Sequence, residues 1–205
     1  MKKTALIFIL STSLFGGAMA QNKNTVGFAK ENIVVSGALA FSTSESAGTT
    51  KNEFKLSPSV GYFISDKFAL GFNFGYGASK TETENYDSLG NNIGNIVTDN
   101  NDVVEVGLFG RYYYTPSKSF SIFNQIGFNY SSSNNKLAKL RTNGFNFEFS
   151  PGMNYFLSHR FSIQAQIGKV SFNSSKLDVQ GAKSSSLFDI DLNLSAISFG
   201  LNYKL

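Results

Sequence analysis

Cysteine and tryptophan are absent from the 205 residues, histidine occurs once and proline three times. Without cysteine there is no disulfide framework, no thiol chemistry and no lipid anchor on an N-terminal thiol. Past the first 20 residues no apolar run approaches the roughly 18 that cross a bilayer as a helix. Excess charge of one sign is missing as well. Removing Lys2 and Lys3 with the leader leaves 16 basic against 14 acidic residues, with no clustered basic face, so nucleic acid is not a partner.

What is present begins with that leader. Lys2 and Lys3 form a basic start, residues 5–15 are mostly apolar, and Ala18-Met19-Ala20 is a small-x-small cleavage site. Residues 1–20 therefore read as a cleaved signal peptide and residues 21–205 as one domain.

The stretch that sets the pattern is LSPSVGYFISDKFALGFNFGYGA, residues 56–78. One face of its second arm carries Phe68, Leu70, Phe72, Phe74 and Tyr76, and the other only Ala69, Gly71, Asn73, Gly75 and Gly77. A period of two puts successive side chains on opposite faces of a strand, and residues 64–67 suffice for an antiparallel turn. Water-facing sides of soluble strands usually carry Lys, Glu, Thr and Arg. Here the second face is small and nearly uncharged, which suits a narrow barrel with an aromatic outside against lipid. An inverted barrel of the lipocalin kind, with the Phe face inside, shows the same periodicity.

The alternation continues along the chain. Strands are predicted over about 33–43, 52–63, 68–80, 102–114, 120–131, 144–156, 161–170 and 197–205. Residues 188–194 run in the opposite phase, which predicts a bulge near Ser195-Ala196. Short turns at 64–67, 115–119 and 157–160 alternate with polar loops at 44–51, 81–101, 132–143 and 171–187. Eight strands of this length, joined short–long, predict an all-β, eight-stranded antiparallel up-and-down transmembrane barrel. An even strand number places both ends on the short-turn side. Aromatic residues fall at two levels, Tyr62, Phe68, Tyr114, Phe120, Tyr155, Phe161 and Tyr203 below, with Phe41, Phe54, Tyr76, Tyr130 and Phe145 above. Two such belts match two membrane interfaces.

Residues 56–70 align without gaps on 149–163, with Ser57/Ser150, Pro58/Pro151, Tyr62/Tyr155, Phe63/Phe156, Ser65/Ser158 and Phe68/Phe161 identical. YYYTPSKSFSI, residues 112–122, is a looser third copy. Proline lacks the N–H that a central strand uses, so Pro58 and Pro151 are each expected to mark a bulge.

The repeated SPxxxYFxSxxF hairpin and the closing SFGLNYKL resemble the small eight-stranded outer-membrane β-barrel family of the OmpA transmembrane domain, OmpX-like and opacity-type proteins. The nearest likeness is to the outer membrane protein beta-barrel domain branch common in Bacteroidetes. That resemblance implies the outer membrane of a Gram-negative cell, both termini periplasmic, and contact with membrane lipid and lipopolysaccharide. It also implies insertion by the outer-membrane assembly machinery from periplasmic chaperones, and a monomer. Family members typically end on Phe or Trp; this chain ends Tyr203-Lys204-Leu205.

Chemistry is sparse. A serine nucleophile needs a base, and the one histidine, His159, falls in a short turn away from the leaflet that would hold lipid A. Asp99 and Asp102, or Asp189 and Asp191, offer oxygen ligands but not the spacing of a calcium loop. No catalytic, metal or cofactor site is expected. The reading is a non-enzymatic barrel with a structural or surface-interaction role; a narrow porin-like channel and a lipid A-modifying enzyme are the alternatives. The lumen is expected to hold a polar network of Lys55, Glu105, Glu148, Arg111, Gln125, Gln164 and Gln166. Counted from the short turns, Lys55 should lie between the two carboxylates, with Arg111 lower, near Gln164 and Gln166.

Overall fold

The computed structural model describes residues 26–191 and 197–205, so the leader and the bulge expected near Ser195-Ala196 lie outside the described residues. Ten strands form one antiparallel sheet. They are β1 (Ile33–Ser46), β2 (Thr49–Phe63), β3 (Phe68–Tyr86), β4 (Asn92–Tyr113), β5 (Phe120–Asn135), β6 (Leu140–Phe156), β7 (Phe161–Ile167), β8 (Lys169–Leu177), β9 (Ser185–Asp191) and β10 (Ile197–Lys204). Neighbours in sequence pair from β1 to β7, β7 pairs β10, and β10 returns to β1, closing a ring of eight. β8 and β9 continue β7 and β10 upward, with β8 paired to β6 and β9 to β8.

Burial follows the alternation strand by strand. Val60, Tyr62, Leu70, Phe72, Leu108, Phe128 and Phe147 are exposed, while Gly61, Phe63, Ala69, Gly107, Phe109 and Asn129 are buried. The apolar face is outside, and the inverted alternative is discarded.

The connections on the long side are shorter than expected, because the strands run on past the membrane level. β3 and β4 extend to Tyr86 and Asn92 as a free ribbon, and β8 reaches Leu177 where a loop from 171 is predicted. These extensions have polar residues on both faces, so no hydrophobic alternation marks them. Their ladders carry hydroxyl and amide pairs instead, Thr43 Oγ1 donating to Asn52 Oδ1 at 2.9 Å, and Thr49 and Thr83 hydroxyls 3.3 Å apart. At the ribbon tip Asp87 Oδ1 accepts from the N–H groups of Leu89 (2.9 Å) and Asn91 (2.8 Å). The Asn91 side chain and backbone hold that carboxyl below its ordinary range.

The two prolines behave differently. β2 keeps one register against β3 on either side of Pro58, so no bulge forms there. Opposite Pro151 the register between β6 and strand seven slips by one, from Phe149↔Val170 to Gly152↔Gln166. The extra residue is Gly168, at φ 68°, a conformation that glycine adopts without a Cβ penalty. Pro151 offers no N–H to that edge, so the break between β7 and β8 falls where a ladder bond is missing in any case.

Candidate functional site

The short-turn end of the lumen is filled. Each of the three short hairpins sends one aromatic residue inward from the end of its strand: Phe63 on β2, Tyr113 on β4 and Phe156 on β6. The segment before β1 turns into the barrel mouth and places Phe28 among them. Its ring lies 4.8 Å from Phe63, 4.9 Å from Tyr113 and 4.7 Å from Phe156. Val34, Ala69 and Phe123 complete this buried cluster.

Hydrogen bonds to the rim hold the segment. Phe28 N–H donates to Pro116 O (2.7 Å), Lys204 Nζ to Gly27 O (2.7 Å), Lys30 N–H to Asp66 Oδ1 (3.0 Å) and Glu31 N–H to Phe63 O (2.8 Å). At Gly27, φ is 106° and a Cβ would run into Pro116 O, so only glycine fits.

Arg111 lies directly above this cork and is 5 % exposed. Its Nε and Nη2 donate to Gln125 Oε1 at 3.0 and 2.6 Å, and its Nη1 to Gln164 Oε1 at 2.9 Å and Tyr113 Oη at 3.0 Å. The guanidinium carbon sits 4.3 Å from the centroid of the Phe123 ring and 5.2 Å from that of Phe109. Neutral acceptors and ring faces take the place of a carboxylate.

A chain of amides crosses the wall above. Asn73 Nδ2 donates to Asn129 Oδ1 (2.9 Å), Asn129 Nδ2 to Asn146 Oδ1 (3.1 Å), and Asn146 Nδ2 to Asn173 Oδ1 (2.7 Å). Glycines opposite make room for this chain and for the rings below it. A Cβ at Gly107 would overlap Asn129, one at Gly71 the Phe109 ring, and one at Gly152 the Phe123 ring. In each case the large inward residue is the ladder partner of the small one.

Of the residues expected in the network, Arg111, Gln125 and Gln164 are therefore in contact. Gln166 sits nearby, its Nε2 donating to Ser150 Oγ at 3.1 Å. Lys55 stands apart. Among the described residues no ion pair within 4 Å joins it to Glu105 or Glu148. Glu105 and Glu148 pack over Gly75 and Gly127, their ladder partners, instead of turning to Lys55. Counting residues up each strand ignores this lean.

Sequence reasoning missed the cork. The signal was an aromatic residue in the inward phase immediately before each short turn.

At the rim, Asp102 pairs with Lys136 at 2.6 Å and holds its ammonium above the ordinary range. Asp99 accepts from Asn101 (2.5 Å) and Asn135 (2.8 Å), so both carboxylates of the Asp99 and Asp102 pair are engaged by the protein itself. His159 is exposed in the turn at 157–160.

A closed ring of eight strands with an apolar outside, a polar inside and one end corked by its own aromatic residues defines a small transmembrane β-barrel. The family model for the outer membrane protein beta-barrel domain matches residues 7–204, and the chain belongs to that family. Among solved structures it is similar to OprG of Pseudomonas aeruginosa, at 12 % identity and a TM-score of 0.55, covering 87 % of this chain and 98 % of that one. It is also similar to Neisserial surface protein A, at 16 % identity and a TM-score of 0.47, covering 85 % of this chain and 96 % of the other. No curated protein matches it.

Proposed function

We propose that this protein is a non-enzymatic barrel of the outer membrane with a structural or surface-interaction role and a lumen closed to ions. The observation that carries this reading is the cork, three hairpin aromatics and Phe28 packed across one end of the ring. Eight strands leave room for little beyond side chains. The seven lumenal residues Lys55, Glu105, Glu148, Arg111, Gln125, Gln164 and Gln166 then serve packing and electrostatic balance, not catalysis. The one histidine, His159, lies in an exposed short turn, so serine-type lipid A chemistry finds no imidazole base inside the barrel. The purified barrel in a planar bilayer is expected to show no steady conductance. Stable single-channel currents would establish the channel reading in its place.

In this reading the short turns and both termini face the periplasm and the β3–β4 ribbon projects from the cell. The support is the contrast between turns tied down at the rim and strands that run on into water. An epitope tag in the ribbon turn at 87–91 is expected to be labelled on intact cells, and one at 64–67 is not. The reverse result would invert the topology. Membrane lipid and lipopolysaccharide surround such a monomer, and periplasmic chaperones with the assembly machinery deliver it.

A further inference from the structure

The ring is not equally closed over its height. β1 pairs β10 only from Val34↔Lys204 to Gly37↔Leu201, although β10 goes on pairing β7 as far as Ile197↔Ile167. Residues 38–41 therefore face 197–200 with no ladder between them, among the described residues. The outward side chains along this seam are more exposed than most of the belt: Leu39 62 %, Phe41 76 %, Phe199 67 % and Leu201 61 %. Inward-facing Ala40 and Ser198 are exposed too, so the seam opens on the lumen as well as on the lipid.

Behind it lies a cavity of about 380 Å³ whose lining includes Ala40, Ser42, Gly75 and Gly77, with Lys55 and Glu105 as its unpaired charges. Its third charge, Glu53, is taken by Lys51 at 2.8 Å and Ser42 at 3.2 Å. Among the described residues the side chains of Lys55 and Glu105 form no hydrogen bond and no ion pair within 4 Å. Two opposite charges line one cavity without meeting. A molecule carrying both charges would bridge them.

The seam also has a way to shut. Leu205 N–H donates to Ile33 O at 2.9 Å, which makes the odd residues of β1 the hydrogen-bonding ones on this edge. Extending the same register would pair Leu39 with Phe199 and Phe41 with Ile197, and bring Ala40 opposite Ser198 with both side chains inward. Closing these ladder bonds would satisfy backbone groups that hydrocarbon leaves unpaired, so the seam has a sealed form beside the open one seen here.

We propose that this seam is a gate through which a single-chain zwitterionic amphiphile enters the upper lumen from the membrane, its phosphate held by Lys55 and its ammonium by Glu105. The cavity is at the small end of ligand sites, room for one chain and not two. The apolar seam takes the chain, and the two charges take the headgroup. The proposal rests on the closed floor argued above, since it makes the cavity a blind pocket.

The test uses the absence of native cysteine. Ala40→Cys with Ser198→Cys places one thiol pair across the seam, in the closely spaced non-hydrogen-bonded position. The variant is folded reduced into phosphatidylglycerol vesicles, and binding of a lysophosphocholine with a fluorescent chain is titrated before and after oxidation. Saturable binding is expected when reduced, at least tenfold weaker binding when oxidised, and recovery with dithiothreitol. Lys55→Met and Glu105→Gln, in the otherwise native protein, are each expected to weaken it about tenfold. Binding of a fluorescent monoacylglycerol should be unchanged in both.

Equal affinity in oxidised and reduced protein would overturn the gate, as would failure of the disulfide to form. Absence of saturable binding would overturn the site. Steady conductance with seam-dependent binding intact would instead overturn only the closed floor.

Discussion

Alanine at Phe28 is expected to lower the unfolding free energy of the barrel by about 3–5 kcal/mol, the usual range for removing a buried phenyl ring. Phe28 is 3 % exposed and touches an aromatic residue from each of three hairpins, so the hole left behind has no flexible neighbour to fill it. Phe63, Tyr113 and Phe156 sit at strand ends whose backbones are fixed by ladder bonds. Reversible urea unfolding from vesicles measures the effect. A loss below about 1 kcal/mol would place Phe28 outside any tightly packed core. The same variant should show intermittent currents where the native barrel is expected to show none, because the ring is then held at its floor by the Arg111 layer alone.

Leucine at Gln125 should be nearly as damaging, at about 3 kcal/mol. Gln125 Oε1 accepts from both Nε and Nη2 of Arg111, and hydrogen bonds to a charged group contribute about 1.5–3 kcal/mol each. The variant leaves a buried guanidinium with Gln164, Tyr113 and ring faces as its partners. The sign of the second step is the informative part. Adding Arg111→Met removes the cation that lost its acceptor, so the double variant is expected to recover at least half of the loss. Strict additivity in the cycle would mean that Arg111 and Gln125 are neighbours without being coupled.

The barrel itself was legible because lipid imposes a severe rule on one face only. Phe72, Leu108, Phe128 and Phe147 had to be apolar, Gly71, Gly107 and Gly127 had to be small, and those constraints recur every second residue. Once the strands leave the membrane that rule lapses. Residues 79–86 and 92–101 are strand all the same, held by backbone pairing that polar sequence does not advertise. The contact of Arg111 with Gln164 follows from the facing of both side chains inward near the same end. The separation of Lys55 from Glu105 and Glu148 does not, because it depends on which way each side chain leans across its neighbouring strand. Phe28 was illegible for a different reason. It belongs to no strand, and its burial depends on three residues 35, 85 and 128 positions away meeting at one point.

That dependence orders events in time. Phe63, Tyr113 and Phe156 come from β2, β4 and β6, and Lys204, which holds Gly27, from the end of the last strand, 177 residues further on. A seat assembled from every quarter of the ring does not exist until the ring has closed. The segment made first is thus the last to find its place, and a barrel caught part-way through insertion is open at both ends.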